Sequence, residues 1–259
     1  MKKLLSVLGL WICFLLIVSV SLTKETKPEL IVAAAADLQN AFTDIKPIFE
    51  KENNCHLILN FGSTGLLVQQ IKQGAPFDIL AAANVSYIEQ LEKENLILPN
   101  SKMIYARGRI GIWYRKDSPF TLHSLSDLTN SQIKRIAIAN PVHAPYGVAA
   151  KESLVSSKLW DLVKDKLVYG ENISETKQYA QTGNVDAAII ALSLSKDSIG
   201  KFILIDESLH NPLNQALGII KETKNPELAK KFCDFLSSSI GKTILKKYFG
   251  NLKRKLFPA

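Results

Sequence analysis

What most constrains this chain is a repeated order of three parts. A short apolar run comes first, then a junction of small residues, then a segment with apolar residues at helical spacing. "LIVAAAA" leads into "DLQNAFTDIKPIFEKE", "HLILNFG" into "LLVQQIKQG", and "FDILAAA" into "VSYIEQLEKENLI". Apolar runs of strand length alternating with amphipathic segments are strand–helix units, and their succession dictates an α/β fold with mainly parallel sheets flanked by helices. The pattern predicts a helix over 37–52 with Asp37 as its cap, a helix closed by Gly74, and a helix whose start is marked by Asn84 and Ser86.

A second series begins at "RIGIWYRK", a strand alternating at period two. "SLSDLT" reads as a short helix capped by Ser124 or Ser126, "RIAIAN" as a strand, and about Val148 to Ser157 as a helix. "ISETKQYAQTG" reads as a helix ending at Gly183, and "DAAIIAL" and "KFILI" as buried strands. "QALGIIK" is a further strand before one closing helix, "NPELAKKFCDFLSSSIGKTILKKY", with Asn225 as its N-cap and Pro226 at its first position. Open α/β sheets bind ligands beyond the carboxyl ends of their strands, so two such series predict two lobes facing a cleft. Lobe I takes 29–106 plus 215–259 and lobe II takes 107–214.

The opening has Lys2 and Lys3, an apolar run from Leu4 to Val20, and small residues before a polar stretch. That is the layout of a secretory signal peptide, assigned to 1–23, with an uncleaved anchor as the alternative. In "LWIC" the bulky Ile12 precedes Cys13, where lipid attachment expects a small residue, so the reading is export with cleavage to an extracytoplasmic, periplasmic location. The net charge is +8, two units of it in the leader, and the basic residues are dispersed except in "KKYFGNLKRK". No nucleic-acid surface is indicated. Beyond the leader Cys55 and Cys233 are either two free thiols or one staple.

Three junctions share a chemistry: "AAAAD" (33–37), "FGSTG" (61–65) and "NPVHAPYG" (140–147). Each follows an apolar strand, precedes a helix, and is built from small residues that let a ligand approach the backbone closely. Helix N-termini leave amides unpaired and carry about half a positive charge, so such junctions suit anions. A phosphate-gripping nucleotide loop would continue "FGSTG" with Lys, whereas here Leu66 and Leu67 follow. His56, His123, His143 and His210 make no metal-ligand pair, and His143 reads as a solvated loop residue, with a place at the cleft mouth as the alternative. No GxSxG elbow and no nucleophile with a base in register appears, so the chain reads as a binding protein and not an enzyme.

Together "VAAAADLQNAF", "FGSTGLLVQQIKQGAPFDILAAA" and "IANPVHAPYGVAA" resemble the periplasmic molybdate-binding proteins of ABC transporters, which have the two-lobed type II solute-binding fold. The resemblance runs from about Leu30 to about Tyr248. It implies capture of molybdate or tungstate between the lobes by neutral donors, with no cofactor, no metal bound except as its oxyanion, and no catalysis. It further implies a monomer, delivery to an ABC permease, and closure about hinges near Ile104–Arg109 and Asn214–Ile219. A cage of fixed dipoles can hold a dianion without Lys and select it by radius. Sulfate, thiosulfate and phosphate are the alternative ligands.

Residue by residue, the resemblance assigns Thr64 as a donor through hydroxyl and amide, with Ser63 beside it helping or shaping the turn. Tyr146 falls where one branch of the family has a ligand-binding Tyr; another branch has Ala there and takes its Tyr from a later strand, where this chain has Ala191. Ile173 falls at a position that gives a backbone amide. Asp37 is the departure, because the family usually places Ser or Asn there. Two like charges ~4 Å apart cost about 4 kcal/mol at an effective dielectric near ~20, so an ionised Asp37 cannot point at an anion. The expectation is that Asp37 turns inward as an N-cap while its amide meets the ligand. A protonated Asp37 acting as donor, or a changed ligand preference, are the alternatives.

Overall fold

The computed structural model describes residues 27–250; the leader, with Trp11 and Cys13, and the basic end past Gly250 lie outside the described residues. In chain order come β1 (Glu29–Ala35), helix α1 (Gln39–Asn53), β2 (His56–Gly62), α2 (Thr64–Lys72), β3 (Ile79–Ala82), α3 (Val85–Lys93) and β4 (Met103–Gly108). The chain continues through β5 (Ile110–Arg115), β6 (Ile136–Ala139), α4 (Pro145–Ser156) and the single turn α5 (Trp160–Val163). Then follow β7 (Leu167–Gly170), α6 (Ile173–Gln181), β8 (Ala187–Ala191) and β9 (Gly200–Leu204). It returns through β10 (Leu213–Ile219) to α7 (Pro226–Ser237) and α8 (Ser239–Phe249).

These strands make two five-stranded sheets, ordered β2-β1-β3-β10-β4 and β7-β6-β8-β5-β9. The expected two-lobed α/β architecture is present, with a correction to the sheets. In each, three strands run parallel, β2-β1-β3 and β7-β6-β8. The remaining pairings, β3-β10-β4 and β8-β5-β9, are antiparallel, so both sheets are mixed. The reason lies in the two crossings between sheets. The chain leaves the first sheet after β4 through Arg109 and comes back between β9 and β10, and no helical crossover intervenes to restore parallel direction there.

Local chemistry accounts for several helix ends. Asn84 caps α3 by accepting from the Ser86 amide at 3.0 Å, and Ser124 and Asp127 form a capping box on a short 3-10 turn. Gly74 and Gly183 follow α2 and α6 with φ of 85° and 76°, a left-handed geometry that glycine adopts without strain. α1 packs its apolar face against α7: Phe232 meets Phe42 and Phe49 edge-to-face at centroid distances of 5.5 and 5.1 Å.

Four sequence expectations shift. The closing helix is two helices, broken at Ser238, whose hydroxyl accepts from the Gly241 amide at 3.1 Å and so starts α8. Asn225 makes no side-chain cap on α7; its amide group donates instead to the Glu29 carbonyl at 3.0 Å. α4 begins at Pro145, not Val148, because proline is well placed in a first turn where its missing N–H is no loss. β9 is an edge strand and only half-buried, with Leu204 47% exposed. Of the two readings left open for the cysteines, the free thiols are present: Cys55 is buried and Cys233 half-buried, and burial pushes the Cys233 thiol up to about 12.

Candidate functional site

Strands β1, β2, β6 and β7 end at Ala35, Gly62, Ala139 and Gly170, and the junctions that follow them face one another across the lobes. All five residues proposed from sequence, Asp37, Ser63, Thr64, Tyr146 and Ile173, line one small space, with alanines and Pro145 between them. About 10 Å³ of it admits the centre of a water-sized sphere, room on the scale of one water. A larger groove of about 570 Å³, bordered by Val142, Lys151 and His210, contains none of the five. Size therefore does not mark the site; convergent chemistry does.

Helices α2, α4 and α6 all present their first turns to this space through Thr64, Tyr146 and Ile173. A first-turn amide has no carbonyl partner within its own helix, so three positive dipole ends converge here. Asn172 caps α6 by accepting from Ser174 and Glu175 at 3.0 Å each, which leaves the Ile173 amide outside that cap. Thr64 Oγ1 accepts from the Ala83 amide at 3.1 Å, so its own proton is available to donate. The lining includes no Lys and no Arg. Among the described residues no group of three or more His, Cys, Asp or Glu is arranged to hold a metal ion.

Asp37 corrects the capping expectation. It lies in the 3-10 turn Ala36–Leu38 before α1, fully buried, and caps neither that turn nor the helix. It does turn inward, but toward the other lobe and β10. Its Oδ2 accepts from the Tyr146 hydroxyl at 2.9 Å and from Gln215 Nε2 at 2.5 Å, and the same nitrogen lies 2.8 Å from the Tyr146 oxygen. Its Oδ1 is buried with no hydrogen-bond partner among the described residues. Burial outweighs the Gln215 and Tyr146 donors and the residue's own backbone amide, and raises the carboxyl to about 7. The Tyr146 phenol is held well above its usual range by burial and then by the Asp37 charge, so it remains a hydroxyl.

Other contacts clamp the lobes around this triad. Ser193 Oγ donates to the Asp37 carbonyl at 2.7 Å, and Ser174 Oγ donates to the Ala36 carbonyl at 3.0 Å. His143 is not a solvated loop residue. Its Nδ1 is 2.7 Å from Ser63 Oγ, and its carbonyl accepts from the Gly65 amide at 2.9 Å. A Cβ on Gly65 would stand 2.6 Å from that carbonyl oxygen, so glycine is what lets the two junctions meet. Sequence reasoning missed Gln215, Ser174 and Ser193. Gln215 had a signal, a polar residue inside the apolar strand "QALGIIK", but its partner Asp37 is 178 residues away.

A protein-family model described as bacterial extracellular solute-binding protein matches residues 30–249. The chain is 34% identical over 233 residues to YvgL of Bacillus subtilis, named as a candidate ABC transporter substrate-binding lipoprotein, covering 88% of each. It is 33% identical over 224 residues to the molybdate-binding protein ModA of Azotobacter vinelandii, covering 85% of this chain and 88% of that one. Among solved structures, the periplasmic molybdate-binding protein of Azotobacter vinelandii superposes with a TM-score of 0.82 at 23% identity, over 87% of this chain and 100% of that one. At that identity the likeness concerns the fold.

Proposed function

The chain belongs to the bacterial extracellular solute-binding protein family, and from that premise we propose that it captures molybdate or tungstate outside the cytoplasm and hands it to an ABC permease. The observation that carries the reading is the convergence of Asp37, Ser63, Thr64, Tyr146 and Ile173 on one small interlobe space ringed by helix N-termini. Amides of Asp37, Thr64 and Ile173 with the Thr64 hydroxyl would hold the oxyanion, and Tyr146 and Ser63 would complete or shape the cage. Fixed donors cost little reorganisation on binding, and a cage without flexible cations discriminates by radius.

Lobe I, 29–106 with 215–259, and lobe II, 107–214, would close about the paired strands β4 and β10 and the crossings beside them, giving the permease a surface present only in the closed form. The chain would act as a monomer after export and would do no chemistry on its ligand. A second reading keeps the fold and changes the ligand to sulfate, thiosulfate or phosphate. The Asp37 carboxyl favours phosphate among these, since an ionised Oδ1 accepts a hydrogen bond and so suits the one oxyanion of the three that still carries a proton at neutral pH.

Thermal melting of the purified protein separates these readings. Molybdate and tungstate at about a hundred times their Kd should add roughly 2.7 kcal/mol of stability, raising Tm by several degrees, with sulfate, thiosulfate and phosphate leaving it unmoved. A shift produced by phosphate or sulfate alone would replace the first reading with the second.

A further inference from the structure

Asp37 poses a problem that the cage around it does not solve. Both side-chain donors that reach its carboxyl, Tyr146 and Gln215, go to Oδ2, while Oδ1 is fully buried and receives none. An anionic oxygen in that position is shut off from bulk solvent and has no donor among the described residues, and a dianion in the adjoining space adds like charge beside it. The groups facing Asp37 offer no cation. From α4 comes Tyr146 and from β4 Tyr105, both held as neutral phenols by burial; from β10 comes the amide of Gln215. From the turn after β8 comes the hydroxyl of Ser193, which is spent on the Asp37 carbonyl.

We propose that the cleft takes up its dianion together with one proton, carried on Asp37 Oδ1, so that the residue which would repel the ligand becomes one of its donors. The inference rests on the oxyanion reading of the site. The step is a protonation alone: one O–H bond forms at Oδ1 from a solvent proton, no bond breaks in the ligand, and the site gains one negative charge fewer than the ligand brings. Protonation converts a buried acceptor without a partner into an O–H donor beside an oxyanion, a short charge-assisted pairing. The Tyr146 and Gln215 bonds to Oδ2 survive the change, since a protonated carboxyl keeps acceptor capacity on its other oxygen. With the free carboxyl already near 7, the proton is within reach at neutral pH and becomes scarce above it.

The test is calorimetric titration of the purified protein with molybdate at about pH 8, in buffers that differ in ionisation enthalpy. The expected result is uptake of close to one proton per molybdate bound. Affinity should fall about tenfold per pH unit above about 7, so about a hundredfold by pH 9. Asp37→Asn should bind without proton uptake and with a flat profile over the same range; Asp37→Ser serves if the asparagine variant does not fold. Tight molybdate binding to the unaltered protein with no proton uptake and no pH dependence overturns this inference and leaves the oxyanion reading standing. Uptake that persists in Asp37→Asn also overturns it, because the proton then lies elsewhere. Failure of molybdate and tungstate to bind at any pH between about 6 and about 9 removes the oxyanion reading, and this inference with it.

Discussion

The Asp37 carboxyl is fully buried, with two side-chain donors crowded on one oxygen and none on the other. The consequence for stability has a definite sign. A carboxyl raised from about 4 in the unfolded chain to about 7 in the folded one keeps its proton in the native state through that window while the unfolded state releases it. The native state therefore loses ground as pH rises from about 4 to about 7, by at most ~1.4 kcal/mol per unit, and no further above 7. Thermal melting of the protein against Asp37→Asn should show that downward slope only where the acid is present; parallel curves would contradict it. Tyr146→Phe deletes one of the two donors. It should cost about 1 kcal/mol of stability and raise the Asp37 carboxyl further, readable by NMR titration. Ile173 is reached only through the family resemblance, but the junctions of Asp37, Ser63, Thr64 and Tyr146 are legible in sequence because each stands just past a strand end or at a helix start. Gln215 is not, because its role exists only when β10 returns beside β3 after the whole second lobe has been made.

At the scale of elements, strand–helix alternation is readable from period alone, and so are caps made by a local side chain, such as Asn84 and Ser124. What local pattern does not carry is the direction of a strand that arrives from another sheet, or the burial of an edge strand such as β9. A break inside an unbroken amphipathic pattern, as at Ser238, escapes for a related reason: α7 and α8 both have apolar faces, and one serine hydroxyl restarts the helix. The docking of α7 on α1 depends on Phe232, which is fully buried between Phe42 and Phe49. Phe232→Ala should cost 3–5 kcal/mol, roughly, as a large-to-small core change, lowering the denaturant midpoint without altering ligand selectivity. The junction pair tests a different property. Gly65→Ala places a methyl against the His143 carbonyl, across the lobes, so it should leave Tm nearly unchanged and weaken oxyanion binding by at least tenfold. A variant that melts early but binds normally would show that this contact holds the fold and not the closed cleft.

At the scale of the molecule, two mixed sheets joined by two crossings place four strand ends around one space, and the helices that follow aim their positive ends into it. The topology by itself assembles the proposed anion site, and among the described residues its lining includes no Lys and no Arg. Ser193, Ser174, Tyr146 and His143 from one lobe bond to Asp37, Ala36 and Ser63 from the other, so the bonds that join the lobes also border the proposed site. The measurement that bears most directly on this account is isothermal titration of the purified protein at neutral pH with molybdate, tungstate, sulfate, thiosulfate and phosphate in turn. The account predicts one-to-one binding of the first two, each at least a thousandfold tighter than any of the other three. Comparable affinity for sulfate or phosphate, or no heat from molybdate and tungstate, would contradict it.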